Sequence, residues 1–412
     1  MTFGLIGEHL AHSYSPEIHR RLRGYDYELC PMPPEALPAF FARRDFSGIN
    51  VTIPYKQAVI PYCDALSETA RQVGAVNTIV RREDGALFGH NTDPTGFRYM
   101  LDEAGISLTG KRVLVLGSGG ASLTVRLVAA ELGAASITVI GRGEFGSMYA
   151  HRNMQVIVNA TPVGMFPHVE GCPAEPDRFP ALEALADLIY NPLRTRFVQK
   201  AQKLGLRTAD GLSMLVAQAA ASAALFERGA PHNHPGLRPP LHGGECTRVL
   251  ASLRRDLENW VLIGMPGSGK TTLGQRLAEK SGRPFVDLDL EIEKLMGRPG
   301  SEILVTQGEA AFREIEAQIV KQFGAKTGQV IATGGGAVLR RSNVEALRSN
   351  GKLLWIKRDT QYLATAGRPL SIDLENLERV RRPHYEAAAD AQIEHNEDWE
   401  MLFKKAWEVF DS

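Results

Sequence analysis

Residues 112–122, RVLVLGSGGAS, decide the fold of the first half of the chain. The run RVLVL is short, apolar and unalternating, which is typical of a strand buried on both faces of a parallel sheet. A glycine turn follows at once and leads into the helical stretch LTVRLVAAELG. A strand, a glycine turn and a helix N-terminus in this order present backbone N–H groups and the positive end of a helix dipole to a pyrophosphate. A purely structural turn is the alternative, and the candidate cofactor-binding residues are Gly117, Ser118, Gly119, Gly120 and Ala121.

The second half opens with the same arrangement in residues 260–271, WVLIGMPGSGKT. This stretch matches GxxxxGK[ST] between a strand and a helix, which is the pattern of a phosphate-cradling P-loop. In such a loop Lys270 would reach the β and γ phosphate oxygens of ATP, and Thr271 would hold Mg²⁺. The other candidate nucleotide-binding residues of this loop are Gly267, Ser268, Gly269 and Thr272.

Further short apolar runs alternate with helical stretches in both halves. These runs are SITVIG (136–141), VIVNAT (156–161), PFVDLD (284–289), QVIATGG (329–335) and KLLWIK (352–357). The alternation predicts an α/β fold with parallel sheets, Rossmann-like in the first half and of the P-loop type in the second.

A Pro- and Gly-rich stretch separates the two halves. Residues 229–246 read GAPHNHPGLRPPLHGGEC and show no apolar periodicity, which indicates an interdomain linker. The predicted organisation is a substrate-binding domain over 1–100, a Rossmann-like domain over 101–228 whose last helices return to the first domain, a linker over 229–258 and a P-loop domain over 259–412.

Composition limits the classes of function. Lys plus Arg and Asp plus Glu each total 47 of 412 residues, so net charge does not draw the chain to nucleic acid or to an anionic membrane. Four widely spaced cysteines predict neither a zinc site nor a disulfide framework, and no export or membrane-spanning signal is apparent. We expect a globular cytoplasmic protein that acts on small molecules, with its oligomeric state left open.

Seven motifs in the first half resemble those of shikimate dehydrogenase, in the same order and over nearly all of residues 1–228. They are HSYSP (12–16), GINVTIPYK (48–56), GAVNT (74–78), GHNTD (89–93), NATPVGM (159–165), YNPLRT (190–195) and GLSMLVAQ (211–218). Each places small polar groups or one charge beside Gly or Pro, as in loops that bind a substrate on a rigid scaffold. The resemblance implies reduction of 3-dehydroshikimate to shikimate by NADPH.

The same resemblance assigns roles residue by residue. Lys56 and Asp93 match the catalytic pair, in which an ammonium protonates the alkoxide left by hydride transfer and a carboxylate orients it; a surface salt bridge is the alternative. Asp93 also contacts the substrate, and Glu68 and Gly211 fall on the cofactor side. The remaining implied substrate-binding residues are Ser13 and Ser15, which would hold the ring carboxylate, and Thr52, Asn77, Tyr190 and Gln218.

Two features of the Rossmann-like domain in the first half depart from the expected pattern. About 20 residues after the glycine turn, where an acidic residue would bind a ribose hydroxyl, the chain has Gly141 and Arg142. An arginine suits the 2′-phosphate of NADP, although Arg142 could equally be an exposed loop cation, and use of NAD stays open. Only 18 residues separate Gly141 from Asn159, about half the length usual in the family, so we expect one βα unit to be missing or reduced. A silent shikimate-binding module is therefore an alternative for the first half.

Motifs in the second half resemble those of shikimate kinase over about residues 260–410. They are the P-loop with DLD (287–289), FREIE (312–316), TGGG (333–336), GRPL (367–370) and RRPHY (381–385). The resemblance implies ATP-dependent phosphorylation of the shikimate 3-hydroxyl. The two halves would then catalyse consecutive steps, because the product of the first is the substrate of the second.

Roles in the second half follow from the matching positions. Asp287 and Asp289, expected at a strand end, would serve Mg²⁺ and the acceptor hydroxyl respectively, with Asp289 as a candidate base. Arg368 would enter the site with Lys270 and neutralise the transferring phosphoryl group. Shikimate would be bound by Asp289, Arg313, Gly335 and Arg381, although Arg382 could replace Arg381 and Arg313 could merely pair with Glu316. A P-loop kinase for another polyol or acid is the alternative.

Overall fold

The chain divides into two units, residues 1–191 with 195–253 and residues 192–194 with 254–412. The computed structural model of the protein describes residues 2–10, 13–229, 243–363, 374–395 and 398–411. None of the helices within these ranges is long and apolar enough to cross a membrane.

The first unit begins with a mixed sheet of six strands and four helices. The strands are β1 (Phe3–Gly7), β2 (Glu28–Pro31), β3 (Gly48–Val51), β4 (Ala65–Leu66), β5 (Thr78–Arg81) and β6 (Leu87–His90). The helices are α1 (Ser15–Arg23), α2 (Leu37–Arg43), α3 (Glu68–Val73) and α4 (Asp93–Glu103), with 3-10 helices at Pro34–Ala36 and Ile60–Tyr62. The strand order is β2-β1-β3-β5-β6-β4, and β5 runs antiparallel to both of its neighbours. The predicted domain boundary at residue 100 lies inside α4, whose Met100 and Leu101 pack in one core with Val113 of the sheet that follows.

A second, fully parallel sheet follows in the same unit. Its strands are β7 (Arg112–Leu116), β8 (Ser136–Ile140), β9 (Val156–Asn159), β10 (Ala184–Asp187) and β11 (Arg207–Asp210). The helices are α5 (Gly120–Glu131), α6 (Arg196–Lys203) and α7 (Gly211–Gly229), with 3-10 helices at Arg142–Ala150 and Pro176–Arg178. Successive residues of β7 enter different cores, Val113 and Val115 on one face and Leu114 and Leu116 on the other. Both faces are covered, as the unalternating apolar runs predict.

The strand order of this sheet confirms that one βα unit is missing. The order is β11-β10-β9-β7-β8, with β7 between β8 and β9. A doubly wound nucleotide-binding sheet continues past the position of β8 with a third strand. Here the connection over residues 141–155 contains the 3-10 helix Arg142–Ala150 but no strand, and β8 is an edge strand.

Helix α7 returns to the first sheet and packs against α1, α4, β3 and β5. Two glycines allow the close approach. A Cβ on Gly48 would collide with the Phe226 ring, and a Cβ on Gly96 of α4 would lie 2.6 Å from the Met214 carbonyl oxygen. The return of α7 therefore depends on residues without side chains at both contacts.

The predicted linker over 229–258 is too long at its C-terminal side. Residues 230–242 lie outside the described part of the chain, but Gly243–Leu257 form a helix, α8. Cys246, Val249, Leu250 and Leu253 are buried along it at the i, i+3, i+4, i+7 spacing of one helix face. Glu245 pairs with the buried guanidinium of Arg23 at 2.9 Å. The start of α8 is therefore a packed element of the first unit.

The second unit is a five-stranded parallel sheet between helices. Its strands are β12 (Asn259–Ile263), β13 (Phe285–Asp287), β14 (Val330–Ala332), β15 (Gly351–Lys357) and β16 (Ala391–Glu394), in the order β13-β14-β12-β15-β16. The helices are α9 (Lys270–Ser281), α10 (Leu288–Met296), α11 (Gly300–Gly324), α12 (Arg341–Asn350), α13 (Leu374–Ala388) and α14 (Trp399–Asp411). Short 3-10 helices lie at Ala337–Leu339 and Thr360–Tyr362. Val261 and Ile263 enter one core, and Trp260 and Leu262 enter the other, so this sheet is also covered on both faces.

One ionisable group is buried in the first unit at the end of β10. Asp187 is inaccessible to solvent. Its Oδ1 accepts hydrogen bonds from Asn159 Nδ2 at 2.9 Å and from the Ile189 amide at 3.2 Å, and its Oδ2 accepts one from Thr195 Oγ1 at 2.7 Å. Burial raises the pKa of Asp187 to about 7, against the lowering effect of these donors.

This raised pKa predicts a pH-dependent stability of the second sheet. The unfolded carboxyl ionises near its ordinary pKa of 3.8, whereas the folded one stays protonated up to about pH 7. The native state therefore binds more protons, and stability falls as pH rises from about 4 to about 7, by up to about 4 kcal/mol. Asp187→Asn removes the ionisable group, and its Nδ2 can donate to Thr195 Oγ1 where Oδ2 accepts in the wild type, so it should remove this slope and be the more stable form above pH 7.

Hydrogen exchange of peptides covering β9 and β10, measured in full-length protein between pH 4.5 and 8, checks this expectation. All four tryptophans lie in residues 260–407, so tryptophan fluorescence follows the second unit as an internal control that Asp187→Asn should not alter. Equal pH slopes for wild type and Asp187→Asn would show that Asp187 is ionised in the folded protein.

Candidate active sites

An ion pair stands at the start of α4. Lys56 Nζ lies 2.6 Å from Asp93 Oδ2. The Asp93 side chain is 10% exposed and that of Lys56 27% exposed, so the pair reaches solvent mainly through the ammonium. Asp93 is the first residue of α4, where a carboxylate is favoured by the helix dipole. The structure thus brings the two predicted catalytic residues together as a partly buried pair, and their catalytic roles stay predictions.

The amide of Asn77 fixes the other oxygen of this carboxylate. Asn77 Nδ2 donates to Asp93 Oδ1 at 2.8 Å, and Asn77 Oδ1 accepts the backbone N–H of Thr92 at 2.8 Å. Asn77 is only 2% exposed. Below it a buried polar network continues through Thr78, Ser222 and Asn50. This network leaves the Asp93 carboxylate little rotational freedom, so its free edge and the Lys56 ammonium keep one orientation.

Gln218 joins the same group from α7. Its Oε1 lies 3.4 Å from Asn77 Nδ2, and its Nε2 donates to the Leu215 carbonyl at 3.0 Å. A Cβ on Gly96 would lie 3.0 Å from the Gln218 Cβ, so the glycine sets how near α7 comes to Asp93. Sequence reasoning missed Gly96, although it stands three residues after the GHNTD motif.

The remaining predicted substrate-binding residues collect around the N-terminus of α1. Ser13 Oγ donates to Ser15 Oγ at 3.1 Å, which places two neutral hydroxyls side by side. Tyr14 packs on Tyr190 with ring centroids 5.6 Å apart. The Ser13 amide bonds to the Leu10 carbonyl, and Leu10 and Thr52 both touch the position of a Cβ on Gly7. Three separate motifs therefore meet at one place.

The glycine turn after β7 has the geometry that a pyrophosphate needs. Gly117 has φ +107°, and a Cβ there would lie 2.9 Å from the Ala160 carbonyl oxygen, so only glycine fits. A Cβ on Gly119 or Gly120 would meet nothing within 4 Å, so the surface above the helix N-terminus is open. Ser118 and Ala121 complete the turn on its exposed side and at the start of α5. These residues fit the diphosphate of a dinucleotide.

Two other predicted cofactor residues differ in their surroundings. Gly211 begins α7 where a Cβ would collide with the Leu188 carbonyl, so close backbone packing already requires glycine there. Glu68 begins α3, pairs with Arg71 at 3.3 Å and is exposed. Helix α3 contacts α5, the helix that follows the glycine turn. The cofactor roles of both residues stay predictions.

At the end of β8 the structure adds an acidic group that the sequence pattern did not indicate. Arg142, exposed as the alternative interpretation expected, begins the 3-10 helix, and Glu144 lies in its first turn. Glu144 Oε2 accepts the Gly141 N–H at 3.0 Å. The carboxylate therefore lies at the strand end even though its residue is four positions past Ile140.

The second unit holds a cavity of about 490 Å³ at the carboxyl ends of its strands. It is lined by the P-loop and by the later motifs: Gly267, Gly269, Lys270, Thr271, Thr272, Asp287, Asp289, Arg313, Glu316, Gly334, Gly335, Gly336, Arg358 and Arg381. This volume suits a small polar metabolite together with a nucleotide phosphate chain. Ser268 is fully buried and is not among the residues that line the cavity. Arg368 and the GRPL motif lie outside the described residues.

The P-loop brings its cation and its metal-ligand pair to one wall of the cavity. Lys270 Nζ donates to the carbonyls of Gly264 and Met265, each at 2.9 Å. Thr271 Oγ1 lies 2.7 Å from Asp287 Oδ2. A hydroxyl and a carboxylate oxygen beside a phosphate-binding loop are the donors that Mg²⁺ takes in nucleotide sites, so these two residues fit the ion.

Asp289 does not lie at a strand end as predicted. Strand β13 ends at Asp287, which caps α10 by accepting the Asp289 N–H at 3.0 Å, and Asp289 belongs to the first turn of that helix. A Cβ on Gly334 would lie 2.7 Å from Asp289 Oδ1, so Asp289 faces the glycine run.

A Cβ at each glycine of that run would meet a different neighbour. A Cβ on Gly334 would meet Asp289, one on Gly335 would lie 2.6 Å from Pro266 Cδ, and one on Gly336 would overlap the guanidinium of Arg313. Tyr385 OH donates to the Gly335 carbonyl. The run therefore lets the P-loop, the acidic residue and the arginine converge.

Two arginines face the cavity beside a buried carboxylate. Arg313 Nη1 lies 2.9 Å from Glu316 Oε2, and Glu316 is 2% exposed. Burial raises the pKa of Glu316, and Arg313 acts in the opposite direction. Arg381 is buried and lines the cavity, whereas Arg382 is exposed and pairs with Glu378. Of these two candidates, Arg381 is therefore the one that lines the cavity. The ion pair with Glu316 holds the Arg313 guanidinium in place within the cavity lining.

Arg358 is a cavity residue that sequence reasoning missed. It follows β15 directly, and its Nη1 donates to the Gly267 carbonyl of the P-loop at 3.0 Å. No motif marks it, because the signal is only a cation one residue beyond a buried strand. It brings a second cationic group to the phosphate-binding loop besides Lys270.

Comparisons with known proteins agree with both halves. The family model "Shikimate kinase" matches residues 266–410. The family model "Shikimate dehydrogenase substrate binding domain" matches residues 5–79.

Relatives of the first half include the shikimate dehydrogenase (NADP(+)) of Moorella thermoacetica, 36% identical over 54% of this chain and 86% of that protein. That of Crocosphaera subtropica is 39% identical over 53% of this chain and 88% of the relative. Among solved structures, shikimate 5-dehydrogenase from Thermus thermophilus in complex with NADP(H) and shikimate is 35% identical, with a TM-score of 0.53 over 61% of this chain and 99% of that one. The chain therefore belongs to the shikimate dehydrogenase family and carries a shikimate kinase domain in its second half.

Proposed function

We propose that this chain catalyses two consecutive reactions, NADPH-dependent reduction of 3-dehydroshikimate to shikimate and ATP-dependent phosphorylation of shikimate to shikimate 3-phosphate. The observation that carries the proposal is that both catalytic constellations are assembled among the described residues that matched the two motif sets. The Lys56–Asp93 pair is assembled beside the substrate motifs, and the P-loop cavity unites Lys270, Asp289 and two arginines. We place the enzyme in the cytoplasm, where its small-molecule substrates and cofactors are found.

In the reduction, residues of this chain bind the substrate and supply a proton. Ser13 and Ser15 hold the ring carboxylate through neutral hydroxyls, and Thr52, Tyr190 and Gln218 contact the ring. NADPH, bound at the glycine turn, supplies the hydride. The Lys56 ammonium donates a proton to the developing alkoxide, and Asp93, fixed by Asn77, orients Lys56 and a ring hydroxyl.

In the phosphorylation, the cavity positions an acceptor hydroxyl against the phosphate site. Arg313 and Arg381 bind the shikimate carboxylate by forked hydrogen bonds, and Gly335 lets the backbone approach the ring. Asp289 orients the 3-hydroxyl and is placed to accept its proton. Mg²⁺ held by Thr271 and Asp287 would neutralise phosphate charge, and Lys270 with Arg368 stabilises the transferred group. A neutral polyol would offer no carboxylate to the Arg381 guanidinium that lines the cavity, which argues against that alternative, whereas Arg313 already pairs with Glu316.

The proposal is tested by NADPH oxidation in purified full-length protein given 3-dehydroshikimate, first without ATP and then with ATP and Mg²⁺. We expect oxidation without ATP, and shikimate 3-phosphate only after ATP is added. Phosphorylation of added shikimate without any NADPH oxidation would instead leave a kinase carrying a silent binding domain.

Substitution of the catalytic pair should separate the two activities. Lys56→Met removes the proton donor and Asp93→Asn removes the carboxylate, so each should lower kcat for NADPH oxidation about 10²–10⁴-fold. The kinase rate of the same preparations, measured with added shikimate, serves as the control and should stay at the wild-type value. A loss below about threefold in both variants would exclude the proposed proton donor.

Arg358 should act on nucleotide affinity. Arg358→Met removes a charge-assisted contact at the P-loop, so we expect the Kd for ATP, measured by competition with a fluorescent ATP analogue, to rise about tenfold. Arg341→Met is a matched control, because its side chain is 71% exposed and pairs with Glu345. Equal ATP affinity in the two variants would mean that Arg358 serves only to hold the Gly267 carbonyl.

A further inference from the structure

We propose that Glu144 replaces the missing strand-end acid of the dinucleotide site and accepts the 2′-hydroxyl of the adenosine ribose, so that the first half binds NAD(H) as well as NADP(H). The inference rests on the proposed function of the glycine turn as a cofactor site. It assigns a specificity-determining role to a residue that neither the motif pattern nor the family resemblance singles out.

The position of the carboxylate carries the proposal. In a dinucleotide-binding sheet the adenosine ribose lies at the end of the second strand, beside the glycine turn that follows the first. Strand β8 is that second strand, since it pairs in parallel with β7. Glu144 Oε2 accepts the N–H of Gly141, the first residue after β8. Both Glu144 Oε2 and Ser118 Oγ of the glycine turn lie within 3.5 Å of the point where a Cβ on Gly141 would stand. The carboxylate thus occupies the corner between the turn and the strand end.

The shortened connection explains how Glu144 reaches this corner. The 3-10 helix begins at Arg142 immediately after Gly141, and its first turn folds Glu144 back over that glycine. Gly141 leaves the space that a side chain at the strand end would fill. The acidic residue therefore comes three positions after Gly141 in the sequence, while its carboxylate still lies at the end of β8.

The charge of Glu144 opposes the cofactor with the extra phosphate. A 2′-phosphate carries close to two negative charges, and a carboxylate within a few ångströms of it is repelled, whereas a ribose hydroxyl can donate to that carboxylate. Exposed Arg142, two positions away, favours the phosphate. The two residues act in opposite directions on the same ribose, so the discrimination between the cofactors is small.

Direct binding of NADPH and NADH to full-length protein, without any substrate and followed by the fluorescence of the reduced nicotinamide, measures this discrimination. We expect the two Kd values of the wild type to differ by less than about tenfold. Glu144→Gln keeps an acceptor for the Gly141 N–H but removes the charge, so it should shift the Kd ratio about five- to tenfold toward NADPH. Arg142→Gln should shift it toward NADH, and Glu83→Gln, in a turn of the first sheet, is the control for loss of one negative charge.

The outcomes separate this inference from the function on which it rests. Binding of neither cofactor would contradict the proposed dehydrogenase site itself. Binding with a Kd ratio that stays within about twofold of the wild type in both Glu144→Gln and Glu144→Ala would overturn the role of Glu144 while leaving that site intact.

Discussion

Strands that are buried on both faces can offer polar chemistry only at their ends, and this constraint orders both units of the protein. The middle of β7, β9, β12 and β14 consists of apolar side chains packed into cores on either side. The polar residues therefore collect past the carboxyl ends, where parallel strands finish at the same edge. The glycine turn begins at Gly117 after β7, the P-loop begins at Gly264 after β12, and Arg358 follows β15. At the end of β10, Asp187 is a carboxyl group without solvent access, and burial raises its pKa to about 7.

Glycine residues position the groups of both sites as much as the polar side chains do. Gly96 lets α7 approach α4 so that Gln218 lies beside Asn77 and the Asp93 pair. Gly336 gives the Arg313 guanidinium its place, while Gly334 and Gly335 admit Asp289 and the P-loop proline. A methyl group at any of these positions would push apart groups that must act together. Glycines here set distances between charged residues rather than supplying flexibility.

The sequence predicted most of this arrangement because its signals are local. Each apolar run named above coincides with a strand, and these strands are largely buried except for the edge strands β8 and β13. The Lys56–Asp93 and Thr271–Asp287 pairs were expected from the resemblance of their motifs to the two families. The predictions failed where tertiary packing determines the local structure. The turn after Asp287 sends Asp289 into a helix, and α8 becomes helical inside a segment predicted to be linker because four residues spaced along one helix face are buried there. Glu144 and Arg358 carry no motif, since their positions depend on how a connection folds back or where a strand ends.

The two proposed shikimate sites bind the same substrate carboxylate with different kinds of hydrogen-bond donor, and this difference fits the order of the two reactions. In the first unit two neutral serine hydroxyls face it, whereas in the second it meets guanidinium groups, one of them fixed by buried Glu316. Hydrogen bonds from neutral donors are about half as strong as those from charged ones. A site that must release shikimate gains from the weaker contact, and a site that must capture it before phosphoryl transfer gains from the stronger one. The difference in donor chemistry therefore fits release of shikimate by the dehydrogenase half and its capture by the kinase half.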